Sequence, residues 1–155
     1  MHTRFLQYAV DLAAANVDSG EGGPYGAVIV KDNRIIAASA NKVTRSIDPT
    51  AHAEIMAIRE ACQSLNDFQL PDCTLYTSCE PCPMCLGAIY WARLARVFFA
   101  CSREDAAASG FDDSFIYDEI SIDPSERRIK MVQLELANAC QPFELWNSKP
   151  NKVPY

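Results

Sequence analysis

Cys82 and Cys85 stand three residues apart behind Pro81, a spacing that brings two thiolates to one side of a helix start. There the positive end of the helix dipole favours them as anions. Such a pair is a ligand pair for a metal. His52, expected in the first turn of a separate helix, is a candidate third ligand, and three protein ligands leave tetrahedral zinc one open position, the mark of a catalytic site. Two thiolates cancel the formal charge of the metal, so a nearby carboxylate must take the proton of an activated water, while helix N-termini restore some positive field. Glu54 is the candidate, although residues two apart on a helix point in different directions and spacing alone does not pair it with His52. Cys79 keeps a second arrangement open. With Cys82, Cys85 and His52 it would complete a closed four-ligand site, which holds a metal for stability and does no chemistry.

These residues need elements to carry them. Phe5, Tyr8, Ala9, Leu12 and Ala13 recur at helical spacing, and Gly20, Gly22, Gly23 and Pro24 end that helix. Residues 27–31 and 34–40 are β-branched and apolar on either side of Asp32-Asn33, which predicts an antiparallel hairpin whose second strand delivers Asn41. Pro49 and Thr50, with Thr50 as N-cap, open a predicted helix over 51–64 that includes His52. A strand at 74–77, a helix at 82–92 and a buried strand at 96–100 make a βαβ crossover with its strands parallel. Residues 106–113 read as loop. Val132, Leu134 and Leu136 alternate with Gln133 and Glu135 as a fifth strand, and 143–146 belong to a last short helix. This order predicts an α/β fold with a mixed five-stranded sheet and helices on both faces. The tail, 148–155, has two prolines and no periodicity, so it is either disordered or held by a partner surface.

At 155 residues and 49% hydrophobic composition the chain suits a single domain spanning 1–155. A net charge of −6 argues against nucleic acid as a partner, because binding through phosphates needs a clustered surplus of Lys and Arg. Lys42 and Arg45 make only a small local cluster. The sequence has no leader pattern and no apolar run of membrane-spanning length, so it reads as soluble and cytoplasmic, with no membrane partner. Seven cysteines, an odd number without a secreted-framework spacing, favour reduced thiols and a metal site over disulfides. Cys62, Cys73, Cys101 and Cys140 read as small buried hydrophobes.

His52-Ala53-Glu54 followed by Pro81-Cys82-Pro83-Met84-Cys85 is similar to the H-x-E and P-C-x-x-C signature of the zinc deaminases, and the chain resembles the cytidine deaminase-like superfamily. That resemblance implies a three-layer αβα fold, Zn2+ held by His52, Cys82 and Cys85, and Glu54 as a proton shuttle that binds no metal. Within the superfamily, LYTSCEPCPMCLGAIYWAR at 75–93 and GFDDSFIY at 110–117 resemble the small bacterial guanine deaminases. The implied reaction, in purine catabolism or salvage, is guanine plus water giving xanthine and ammonia, with Glu54 passing a proton from water to the ring nitrogen and then to the leaving amine. The resemblance also places Asn41 and Asp113 on the edge of the base, with Trp91 and either Tyr25 or Phe111 near its ring. It further implies a domain-swapped homodimer in which residues 148–155, ending in Tyr155, form a lid over an active site, in cis or in trans. Ordinary structural roles stand beside these: Asn41 ending a strand, Trp91 in a helix core, Asp113 capping a helix. The alternatives in function are deamination of guanosine or another aminopurine or aminotriazine, deamination of tRNA adenosine, and a non-catalytic zinc-stabilised binding module.

Overall fold

The computed structural model describes residues 2–155 and divides into two compact units, a first that ends at Asp113 and a second, Ser114–Tyr155. The first unit opens with helix α1 (His2–Asp18). Strands β1 (Gly26–Lys31) and β2 (Arg34–Ala40) follow as an antiparallel hairpin. At its tip Asp32 and Asn33 both take positive φ, 49° and 60°, the left-handed pair of a type I′ turn, whose twist matches the strands it joins. After the short helix α2 (Val43–Ser46) comes α3 (Ala53–Leu65). Then β3 (Thr74–Cys79), α4 (Pro83–Trp91) and β4 (Arg96–Cys101) form the expected crossover, with β3 and β4 parallel and in register from Thr74 with Arg96 to Cys79 with Cys101. The unit ends after α5 (Arg103–Ala108).

The sheet order is β2-β1-β3-β4, and strand alternation sends its side chains to two different cores. Ala27, Ile29 and Leu75 face Ala53, Ala57 and Ala61 of α3 and Ile89 of α4, whereas Val28, Val30 and Tyr76 face Phe5 and Ala9 of α1. Small alanines let α3 lie close to the sheet. At Gly26 the approach is closer still: a Cβ there would fall 2.2 Å from the Ala9 carbonyl oxygen and 2.8 Å from the Ala13 nitrogen. The mixed sheet with helices on both faces is the fold expected from the sequence, but among the described residues it has four strands rather than five. Residues 132–136 form no strand. Alternation identifies a segment that could pair and does not supply the edge it pairs with.

Local corrections have local causes. Thr50 is not the N-cap of α3, because its amide and hydroxyl both donate to Asp48 Oδ1, at 2.8 and 2.7 Å, in a turn that precedes the helix. The N-cap is His52. Likewise Cys82 is the N-cap of α4, with Pro83 in its first turn, where a missing N–H costs nothing. Residues 106–113 are not all loop, since a capping box between Ser102 and Asp105 starts α5. Strand β4, expected to be buried, is half-buried to exposed, as suits the edge position. Cys73 is buried and Cys62 half-buried, but Cys101 and Cys140 are exposed, contrary to the reading of all four as core. All seven cysteines are free thiols.

The second unit contains α6 (Ser114–Ser121) and α7 (Gln141–Ser148). Arg128 ties its first half together, donating from its backbone to Glu119 Oε2 at 2.8 Å, pairing with the same carboxylate, and lying over the Phe115 ring. Beyond α7 the tail has no regular structure, and Lys152 Nζ donates to the Asn147 carbonyl at 3.0 Å. No described helix is long and apolar enough to cross a membrane.

Candidate active site

Two helix starts meet at the centre of the site. His52 has extended backbone, φ −67° and ψ 154°, and Cys82 the same, φ −65° and ψ 168°. Both side chains therefore leave from outside their helices. This removes the objection to pairing His52 with Glu54: only Glu54 lies within the helix, so the helical rule for residues two apart does not apply. His52 Nδ1 lies 3.5 Å from Cys82 Sγ and 3.5 Å from Cys85 Sγ, and the three ligand atoms all fall within 4.8 Å of one another.

That triangle suits zinc. With Zn–S near ~2.3 Å and Zn–N near ~2.05 Å, tetrahedral geometry sets sulfur and nitrogen about 3.6 Å apart. The donor set, one imidazole and two thiolates, is also of the type zinc prefers. Cys79 stays outside the group, its thiol donating to the Ser102 carbonyl at 3.4 Å. The closed four-ligand arrangement is thereby set aside.

The electrostatics of the cluster point the same way. Hydrogen bonds from Cys85 and His52 bring the Cys82 pKa down to about 4 despite burial, so Cys82 is the first of the two thiols to ionise. The Cys85 thiol is pushed up by the same shared bond and by burial. Hydrogen bonding to Cys82 raises the His52 pKa. Glu54 is only 4% exposed, and its pKa is raised first by burial and then by the Cys82 charge, with its own backbone, His52 and Thr77 pulling the other way. A carboxyl group so placed holds a proton more readily than a carboxylate in water does, a shift in the direction a proton shuttle needs.

Asn41 follows directly after β2. Its Oδ1 accepts from the backbone of Gly23 at 3.4 Å and Val43 at 3.2 Å. Asn16, buried on α1, donates through Nδ2 to the carbonyls of Gly23 and Asn41, both at 2.9 Å. Asn41 is therefore both the strand end and a fixed polar group. Tyr25, whose carbonyl accepts from the Asn41 amide at 3.0 Å, meets Phe111 edge to face at 5.3 Å. Its phenol is pushed up to about 12 by burial and by the charges of Cys79, Glu54, Asp113 and Cys82. Asp113, half-buried, is raised by burial and by Cys82. His52, Glu54, Cys82, Cys85, Tyr25 and Asp113 thus share one electrostatic neighbourhood. Trp91 ends α4 and is 64% exposed, and Tyr155 is the last residue of the second unit.

Sequence reasoning missed Thr77 and Asn16. Thr77 Oγ1 donates to Glu54 Oε1 at 3.1 Å, yet a β-branched residue in a strand looks like ordinary strand filling. Its signal was alternation: Thr77 shares a sheet face with Leu75 and Cys79. Asn16 signalled itself as an amide on the apolar stripe of a helix, since a buried amide must find partners.

The cytidine and deoxycytidylate deaminase zinc-binding region matches residues 1–101, and the chain belongs to that family of zinc deaminases. It is 58% identical to the guanine deaminase of Bacillus subtilis over 154 residues, 99% of each chain. The X-ray structure of that guanine deaminase superposes with a TM-score of 0.99 at 57% identity, covering 100% of this chain and 99% of the other. The tRNA-specific adenosine deaminase of Aquifex aeolicus is 45% identical over 96 residues, 62% of this chain and 63% of its own length. A solved guanine deaminase of Nitrosomonas europaea matches with a TM-score of 0.66 at 33% identity, covering 70% and 63% of the two chains.

Proposed function

We propose that the chain is a zinc-dependent hydrolase that converts guanine and water to xanthine and ammonia. The observation that carries this reading is the likeness to the Bacillus subtilis guanine deaminase, which runs through both units. The likeness to the tRNA-specific enzyme of Aquifex aeolicus covers 62% of this chain. With a net charge of −6 the chain is also a poor match for a polyanion.

In this reading His52, Cys82 and Cys85 hold zinc, whose chemical contribution is the Lewis acidity that makes water a nucleophile at neutral pH. Glu54 does the proton work. It accepts a proton as water adds to C2 of guanine and passes it to the ring nitrogen, then carries the remaining proton of the new C2 hydroxyl to the amine as the carbonyl forms, so that ammonia leaves neutral rather than as an amide anion. Asn41, its Oδ1 already engaged by two backbone amides, is left to offer Nδ2 as a donor to the base, and Asp113 takes the edge bearing N9–H. Trp91 and Tyr155 cover the ring.

Residues 1–155 act as one catalytic domain, of which 148–155 are the lid, and the working form is a domain-swapped homodimer in the cytoplasm. Two observations support the swap. Strand β4 pairs with β3 alone among the described residues. Residues 132–136 alternate like a strand without being one, and Val132, Leu134 and Leu136 are 72%, 78% and 69% exposed. A second copy offers such a segment an edge, and exchange of identical elements is a low-cost route to a dimer. Free thiols throughout suit a reducing compartment.

Ammonia release from guanine, guanosine, adenine, cytosine, cytidine and a tRNA anticodon hairpin tests the substrate reading. Turnover of guanine above all others is expected. Preferential turnover of the hairpin, or of a cytosine compound, would overturn it.

A further inference from the structure

The Glu54 carboxylate is almost enclosed, and among the described residues two side chains meet its oxygens. Thr77 Oγ1 donates to Oε1 at 3.1 Å, and Cys85 Sγ lies 3.6 Å from Oε2. The two oxygens are therefore not equivalent: one is tied to the sheet, while the other faces the metal ligands. Thr77 itself is fully buried at 0% exposure. Its neighbours in register are Ala27 on β1 and Phe99 on β4, neither of which has a side chain that could bond a hydroxyl. Val has the same shape and suits a strand at least as well. A fully buried hydroxyl is a liability unless it is hydrogen-bonded, and this one donates to Glu54.

We infer that Thr77 is a positioning residue for the proton shuttle: its hydroxyl pins Glu54 Oε1 against the sheet and so selects Oε2 as the oxygen that receives and returns the proton. This inference rests on the reading of Glu54 given above. The carboxylate sits at the end of a side chain with three rotatable bonds, on the first turn of α3. Without an anchor it samples rotamers in which neither oxygen faces the reacting atoms. Misplacement of a reacting group by about 1 Å can cost up to ~100-fold in rate. Substrate contacts lie on other residues, so the loss falls on the chemical step and not on binding.

The test compares wild type with Thr77→Val, Thr77→Ser and Glu54→Gln, each at full zinc loading. Thr77→Val is expected to lower kcat for guanine about tenfold or more, with KM within about twofold of wild type. Thr77→Ser, which restores the hydroxyl, is expected to return kcat to within about threefold. In the Glu54→Gln background the Val substitution should cost almost nothing further, because residues acting as one unit are not additive. A readout independent of turnover is available in the zinc-loaded proteins without substrate. The infrared band of the Glu54 carboxyl group, isolated as the difference against Glu54→Gln, should shift in Thr77→Val and return in Thr77→Ser. If Thr77→Val does not fold, Thr77→Ser against Thr77→Ala in the same assays decides the matter. Wild-type kcat in Thr77→Val, or equal losses in Thr77→Ser and Thr77→Val, would overturn the inference while leaving Glu54 in place. Full activity of Glu54→Gln would instead overturn the reading of Glu54 itself.

Discussion

Replacing Glu54 with Gln separates the chemistry of this site from its architecture. Gln has the size of Glu, and its carbonyl oxygen can still accept from Thr77, whose hydroxyl lies 3.1 Å away. Its amide can take the place of the oxygen beside Cys85. The fold and the metal ligands should therefore survive. What an amide cannot do is take a proton from water and return one to nitrogen. General acid-base catalysis is commonly worth ~10²–10⁴-fold, and two features place this residue in the upper part of that range. At 4% exposure the group has little bulk water beside it to act as substitute, and the reaction asks it both to accept and to donate. We expect kcat to fall ~10³–10⁴-fold, about 4–5.5 kcal/mol in activation free energy at 1.36 kcal/mol per decade. Ammonia release at saturating guanine measures the loss, with zinc quantified on the same sample and circular dichroism recording the fold. Turnover within about tenfold of wild type, at full zinc occupancy, would refute the assignment and direct attention to Asp113, the other carboxylate raised by the Cys82 charge.

Other expectations follow from the same geometry. Cys79→Ser should keep one zinc per chain and most of the activity, since Cys79 bonds the Ser102 carbonyl and lies outside the ligand triangle; loss of bound zinc from a folded variant would restore the four-ligand alternative. Asp113→Asn should narrow the preference for guanine over guanosine, whose N9 carries ribose, and an unchanged ratio of kcat/KM values would remove Asp113 from selectivity. The Tyr25 phenol, raised to about 12 mainly by burial, holds its proton in the folded state after the unfolded chain has released it near 10, so its share of stability is present below pH ~10 and is lost as pH rises towards ~12. Urea midpoints of wild type should therefore fall more steeply than those of Tyr25→Phe over that interval, and parallel curves would contradict the shift. Deleting residues 153–155 should leave zinc content intact and greatly reduce turnover at saturating guanine; full activity would remove the lid.

The parts of this site that were legible in the sequence are those whose chemistry fixes their spacing. Two thiolates three apart at a helix start, and a histidine with a glutamate two residues on, could be read because a metal and its base demand residue types rarely placed so by chance. The hairpin was legible because Asp32-Asn33 suits the left-handed pair that a two-residue turn needs. The start of α5 was also written out, as Ser102 and Asp105 at capping-box spacing, and was overlooked because the helix is only six residues long. Thr77 was hidden for a different reason. Its partner is 23 positions away, and only the register of β3 beneath α3 brings them together. The missing fifth strand shows the same limit from the other side, since pairing belongs to two segments and alternation describes one.

Helices α3 and α4 begin at His52 and Cys82, and neither side chain makes a capping hydrogen bond to its own helix. Most helices can be strengthened at that position by Ser, Thr, Asp or Asn. Here the position is already committed to holding metal, so both first turns depend on one ion for an anchor that ordinary helices carry in their own sequence. Chelation should therefore loosen two distant stretches of the chain together. Amide hydrogen exchange should accelerate at the starts of both helices, residues 53–56 and 84–86, with one dependence on free zinc, while the Gly26–Lys31 strand between the two cores keeps its protection.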